Sequence, residues 1–157
     1  MPRCSHIPQD ASLPGSCLAA CLQSFLIDNN KPPGVQKEMI DLAKAQGLCG
    51  DKDYVLRHNI EKFCALFGID LKEIEDRKIR PEMSKDEGVL IGSWNYKDTG
   101  QWHCVRFCEY VGKEKFRVMN PAASHAKDAS PEMETRQIDE WKCDIFRIRL
   151  KDDPPKR

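Results

Sequence analysis

The sequence has no excess of charge of either sign, with 25 Lys plus Arg against 25 Asp plus Glu. A balanced chain has no global field to draw it to nucleic acid or anionic lipid. No apolar run approaches the roughly 18 residues that a membrane helix needs. The opening Met-Pro-Arg-Cys-Ser-His lacks the apolar core of a Sec signal peptide. These absences predict no nucleic-acid and no membrane partner, and a protein that is cytoplasmic in the producing cell or secreted by a dedicated non-Sec system. There is no internal repeat and no Gly-rich phosphate loop, so neither a nucleotide site nor any cofactor is expected. Cysteine, at eight of 157 residues, falls short of the roughly 8–10% of a disulfide scaffold. Several cysteines stand where a small apolar residue would serve, as Cys64 does in Phe63-Cys64-Ala65-Leu66-Phe67. Most are expected to be buried thiols.

What is present is enough for one domain with a real core: 157 residues, 40% of them hydrophobic. Leu18, Cys21, Leu22 and Phe25 recur at helical spacing and predict a helix over about 16–27. A second helix is expected over 34–46, with Val35, Met39, Leu42 and Ala43 inward. A third is expected over 53–67, with Val55 or Leu56, Ile60, Phe63, Cys64 and Phe67 inward, and Gly68 stopping it. A short strand near 69–74 and a linker at Arg80-Pro81-Glu82 follow. From Gly88 the period changes from helical to alternating, predicting strands over 88–94, 103–111, 115–120 and 145–150, with a short helix at 137–141. Residues 151–157 read as a frayed tail. Helices first and strands later make an α+β domain spanning 1–157. Its helical half, about 1–68, packs on an antiparallel sheet, about 88–150.

One thiol stands apart. In Pro14-Gly15-Ser16-Cys17-Leu18-Ala19-Ala20-Cys21 a turn and an N-cap serine put Cys17 in the first turn of a helix. Unpaired N–H groups and the helix dipole favour a thiolate there, and the thiolate is the nucleophilic form. Cys21, one turn further in, reads as core. The base best placed by order is His103 in Trp102-His103-Cys104-Val105, with Asn120-Pro121 after one hairpin. Cys, then His, then Asn is the order of a Cys-His-Asn hydrolase.

Val111-Gly112-Lys113-Glu114 predicts a two-residue turn with Gly112 at its first central position. That register pairs Phe107 with Val118 and Val105 with Asn120. Asn120 then lies diagonal to His103 on one face, at a Cα separation of roughly 7–8 Å. In this reading Cys17 attacks a carbonyl, His103 takes the thiol proton and later protonates the leaving amine, and Asn120 orients His103. Gln9 donates to the developing oxyanion together with the Cys17 backbone N–H. Asp98 and Asp128 are substitute orienters. His6, His58 and His125 read as solvated or locally paired, and Trp94 and Trp102 fit a groove wall and the core equally well.

Gln9, the Gly15–Cys21 helix start, Trp102-His103-Cys104-Val105 and Asn120-Pro121 together resemble the small bacterial papain-like cysteine peptidases. These include the double-glycine leader peptidases of bacteriocin exporters and the avirulence-type effector proteases. The resemblance spans residues 9–121 and implies a papain-like fold, a protein or peptide substrate, and catalytic roles for Cys17, His103, Asn120 and Gln9. Leu18 follows the nucleophile where many relatives carry Gly or Trp, and Asn120 replaces the Asp common in the leader peptidases. The same resemblance includes glutamine deamidases and cross-linking acyl transferases. A zinc module built from Cys17-x3-Cys21, His103 with Cys104-x3-Cys108, and Cys143 is the other class, as is a non-catalytic interaction domain. The spacing disfavours zinc, because both cysteine pairs lie inside regular elements and not in knuckle turns.

Overall fold

A computed structural model describes residues 4–10, 12–13, 16–50, 55–80, 83, 88–96, 101–122 and 131–151, without the side chains of 94–96 and 101–102. The readings of Pro14-Gly15, Pro81-Glu82, Asp98, His125, Asp128 and 152–157, and of the Trp94 and Trp102 side chains, fall outside the described residues.

An arm without helix or strand at 4–10 precedes α1 (Cys17–Asp28), α2 (Gln36–Ala45), a 3-10 turn at Arg57–Asn59 and α3 (Ile60–Leu66). Among the described residues six strands follow: β1 (Ile69–Ile74), β2 (Gly88–Tyr96), β3 (Gln101–Gly112), β4 (Lys115–Met119), β5 (Glu132–Glu134) and β6 (Cys143–Leu150). A short helix, α4 (Arg136–Glu140), precedes β6. The strands form one antiparallel sheet in the order β1-β6-β2-β3-β4-β5. The expected α+β arrangement, helices on an antiparallel sheet, is the one observed. No helix among the described residues is long and apolar enough to cross a membrane.

Every residue of α1 from Cys17 to Leu26 is buried. Its apolar residues go all the way round, which suits a helix enclosed on every side rather than one with a wet face. The sheet covers one side, where the Cys21 thiol reaches the Cys104 carbonyl at 3.5 Å. The arm and α2 cover others through Ser24, Gln23 and Gln36. Gly88 is where helix and sheet come nearest: a Cβ there would lie 2.6 Å from Phe25 and 2.7 Å from Ile148. A side chain at this point would push the two layers apart.

The sheet's two faces carry separate cores. Leu90, Cys104, Met119, Phe146 and Ile148 face the helices. Val89, Ile91, Val105, Phe107, Phe116, Val118, Cys143 and Ile145 face the other way, covered by Ile138 of α4 and Met133 of β5. Each such large side chain contributes roughly 1.5–3 kcal/mol by leaving water.

Several boundaries differ from expectation. The third helix starts at Ile60, behind a 3-10 turn, and Val55 is buried through a bridge to Cys49 while Leu56 is exposed. On α2 the inward residues are Met39, Ile40 and Ala43; Val35, at the cap, and Leu42 face solvent. β5 is three residues long, too short to announce itself by alternation.

Candidate active site

β3 and β4 bring His103 and Asn120 together: His103 Nε2 and Asn120 Oδ1 are 2.9 Å apart. The register that achieves this is the expected one at Phe107↔Val118. The turn that starts it is not. Gly112 pairs with Lys115, and Lys113 and Glu114 both have positive φ, 53° and 59°. The turn therefore sits one residue beyond the expected Gly112-Lys113 and has the type I′ sign at both central positions. Two ladder irregularities, between Tyr110 and Gly112 and between Phe107 and Glu109, absorb the offset before Phe107.

A further irregularity interrupts the β2–β3 ladder between Ser93 and Tyr96, immediately beyond the Ser93↔His103 pair. Bulges re-aim side chains, and this one lies at the end of β3 that bears His103. Asn120 Oδ1 also accepts the Ala122 N–H at 3.0 Å. An atom facing a backbone N–H must be the oxygen of the amide, so the His103 Nε2 opposite it is the donor. In the neutral ring the lone pair is then on Nδ1.

Cys17 opens α1 as expected, with Ser16 at the N-cap position. Ser16 makes no capping bond with its side chain; its Oγ donates to the Asp10 carbonyl at 3.3 Å. The expectation of a thiolate-favouring helix mouth is corrected. Cys17 is only 2% exposed, and burial pushes its thiol well above the ordinary range, with the neighbouring Cys104 thiol adding to the rise. The backbone N–H groups of Cys104, Leu18 and Cys17 pull the other way, but desolvation wins. Cys17 thus rests as a neutral thiol against Cys104. His103 is the residue before Cys104 but lies on the opposite face of β3.

Gln9 is half-buried, and its backbone N–H donates to the Pro121 carbonyl at 2.8 Å, beside Asn120. Cys21 is fully buried in the helix-facing core. His58 is exposed, whereas His6, expected to be solvated or paired, has a buried Nε2 without a hydrogen-bond partner. Among the described residues no three His, Cys, Asp or Glu side chains gather as a metal-holding group.

A cavity of about 230 Å³ lies under the His103–Asn120 pair, walled by Ile91, Val105, Val118, Met133 and Trp141. Cys143 lines it too, its thiol pushed up to about 11 by burial. Two features escaped the sequence reading. Cys4 and Cys108 form a disulfide, while Cys17, Cys21, Cys64, Cys104 and Cys143 are buried free thiols. Arg106 is a buried cation whose Nη1 donates to the Asp28 carboxylate and, at 2.8 Å, to Ser24 Oγ. Burial alone would raise the Asp28 carboxyl, but bonds from Ser5 and Arg106 outweigh it and hold it below the usual range.

No family model and no curated protein matches the sequence. Solved structures do. A double glycine motif protease from an AMS/PCAT transporter, crystallised in complex with its leader peptide, is 19% identical with a TM-score of 0.53, over 93% of this chain and 92% of that one. The peptidase domain of Streptococcus ComA, a bifunctional ABC transporter of a quorum-sensing pathway, is 12% identical with a TM-score of 0.66, over 92% of this chain and 98% of that one. The Pseudomonas avirulence protein AvrPphB also matches, at 10% identity and a TM-score of 0.42, over 93% of this chain and 97% of that one. The chain has the papain-like fold of the double-glycine peptidase domains.

Proposed function

We propose that this chain is a thiol hydrolase that cleaves a peptide or amide bond through Cys17, His103 and Asn120, with Gln9 beside them. The observation that carries the reading is the His103 Nε2···Asn120 Oδ1 contact at 2.9 Å, on the strand whose next residue, Cys104, is the neighbour of Cys17. Asn120 holds the ring with its donor face committed, which leaves Nδ1 to act as base. Nδ1 takes the Cys17 proton as Sγ attacks the carbonyl carbon, and a tetrahedral oxyanion forms. The Cys17 backbone N–H and the Gln9 side-chain amide supply donors to it. His103 returns the proton to the leaving amine, and water, activated by the same imidazole, releases the acyl group. Because burial favours the neutral thiol, proton transfer to His103 accompanies substrate engagement and is not complete beforehand.

The substrate is a protein or peptide segment. The leader peptide bound to the transporter protease supports that class, and an effector protease is one setting for it. A glutamine deamidase or acyl transferase would use the same three residues on a side-chain amide. The burial of Cys17 is the observation that favours a non-catalytic interaction domain on the same fold.

The experiment compares wild type with Cys17→Ala on a candidate bacterial or host proteome, reading N-terminal peptides and Gln-to-Glu mass shifts together. New N-termini made only by wild type are the expected result. Mass shifts without new termini assign a deamidase, and neither change assigns the interaction domain.

A further inference from the structure

The arm from Cys4 to Asp10 has no helix or ladder of its own, yet it is pinned along its whole length. Cys4 is bridged to Cys108 of β3. The Ser5 N–H donates to Asp28 at 3.1 Å, and Ser24 Oγ donates to the Ser5 carbonyl at 2.6 Å. Gln36 Nε2 donates to the Pro8 carbonyl at 3.0 Å, and the Asp10 N–H donates to Gln36 Oε1 at 2.9 Å. The Gln9 N–H closes the series on the Pro121 carbonyl at 2.8 Å.

Taken in order, the arm runs antiparallel to α1, from the Asp28 end toward the Cys17 end. One of its anchors is covalent, and that anchor is on the strand that carries His103. Gln9 is five residues on from Cys4, a reach of at most roughly 17 Å. Fixing Cys4 on Cys108 therefore limits how far Gln9 can stray from β3 when its bond to the Pro121 carbonyl breaks. Without the bridge the arm is held by hydrogen bonds, each worth only about 0.5–1.5 kcal/mol net.

We propose that the Cys4–Cys108 bridge is a redox-dependent positioning device for the site. Closed, it keeps Gln9 where its amide meets the oxyanion; open, the arm frays and that donor is lost. Opening is a two-electron reduction by a dithiol. The S–S bond breaks, Cys4 and Cys108 each take a proton, and the reductant closes to its own disulfide. Reduction then lowers the reactivity of a thiol hydrolase, opposite to the usual gain when its nucleophile is kept reduced. The inference rests on the proposed roles of Cys17 and Gln9.

The test uses the full chain with the bridge intact, opened by a dithiol that is then removed, or deleted by Cys4→Ser, with bridge status read from alkylated peptide masses. Cys17 is probed with two electrophiles. Iodoacetamide reacts by displacement and makes no oxyanion, whereas a peptide aldehyde gives a hemithioacetal that does. Opening the bridge should leave the iodoacetamide rate at Cys17 within about twofold and weaken aldehyde binding about tenfold or more, the scale of a lost oxyanion donor. Gln9→Ala should weaken the aldehyde equally in the bridged protein, and opening the bridge in that variant should add nothing further. Equal aldehyde affinity with the bridge open and closed overturns the inference and leaves the nucleophile reading standing. A parallel fall with both probes also overturns it, making the bridge merely structural. If Cys17 in the bridged protein alkylates no faster than Cys21 or Cys64, the nucleophile reading fails and takes this inference with it.

Discussion

Asn120 Oδ1 stands between two N–H groups, His103 Nε2 at 2.9 Å and the Ala122 amide at 3.0 Å. The second bond fixes which end of the Asn120 amide faces the ring, and so fixes which ring nitrogen carries the proton. A backbone turn two residues on thereby sets the tautomer of an imidazole on the neighbouring strand.

Removing that orienting contact should slow turnover without unfolding the protein. Asn120→Ala is expected to lower kcat on the order of 10²-fold, the cost of a catalytic group held out of line. With His103 as the proposed base, His103→Ala should cost about 10²–10⁴-fold. Steady-state kinetics on a cleaved peptide, with circular dichroism as the folding control, check both.

Much of this corner was legible in the sequence, and the reasons are local. The period-two pattern of His103, Val105 and Phe107 against Phe116, Val118 and Asn120 fixed a shared face, because a one-residue slip would expose a buried set of side chains. The turn itself was misplaced. Gly112 looked like a central turn residue, but it pairs with Lys115 and leaves Lys113 and Glu114 as the central two, and core packing at Phe107 and Val118 then recovered the register. Burial of Cys17 was not legible, since helix periodicity does not reveal that the arm and α2 also close over α1. Neither was the Cys4–Cys108 bridge, whose partners lie 104 residues apart and meet only once the arm lies along α1. Arg106 in a strand of apolar residues was the one visible hint of a buried ion pair.

Asp28→Asn should destabilise the fold by about 3–5 kcal/mol, because it leaves the Arg106 cation buried without its counter-charge. For a chain of this size that is a fall in melting temperature of about 6–20 °C. Asp28 titrates below its ordinary value of 3.8 in the folded protein. Its contribution is therefore complete above that value and lost as pH falls through the lower folded value. Thermal melts from neutral to strongly acidic pH should show a steeper acid loss in wild type than in Asp28→Asn.

Gly88→Ala should destabilise by about 1–3 kcal/mol, since its Cβ has no room between Phe25 and Ile148. Chemical denaturation measures the loss. An unchanged midpoint would mean that α1 sits further from the sheet than described. Leu42→Lys, on the exposed side of α2, is the matched control and should stay within about 0.5 kcal/mol of wild type.

The pH dependence of Cys17 alkylation in His103→Ala should expose the effect of burial alone. With its thiol raised by desolvation and the base removed, the rate should keep climbing past the ordinary thiol value of about 8.5 without levelling off. A plateau near neutral pH in that variant would identify a different base.

The most direct measurement is the iodoacetamide labelling rate of each free thiol near neutral pH, resolved by peptide mapping in wild type and His103→Ala. If the Cys17 sulfur passes its proton to the His103 imidazole, Cys17 labels fastest in wild type, by about tenfold or more over Cys64, and drops to the level of Cys64 in the variant. Equal, slow labelling of Cys17 and Cys64 in the wild-type protein would contradict it.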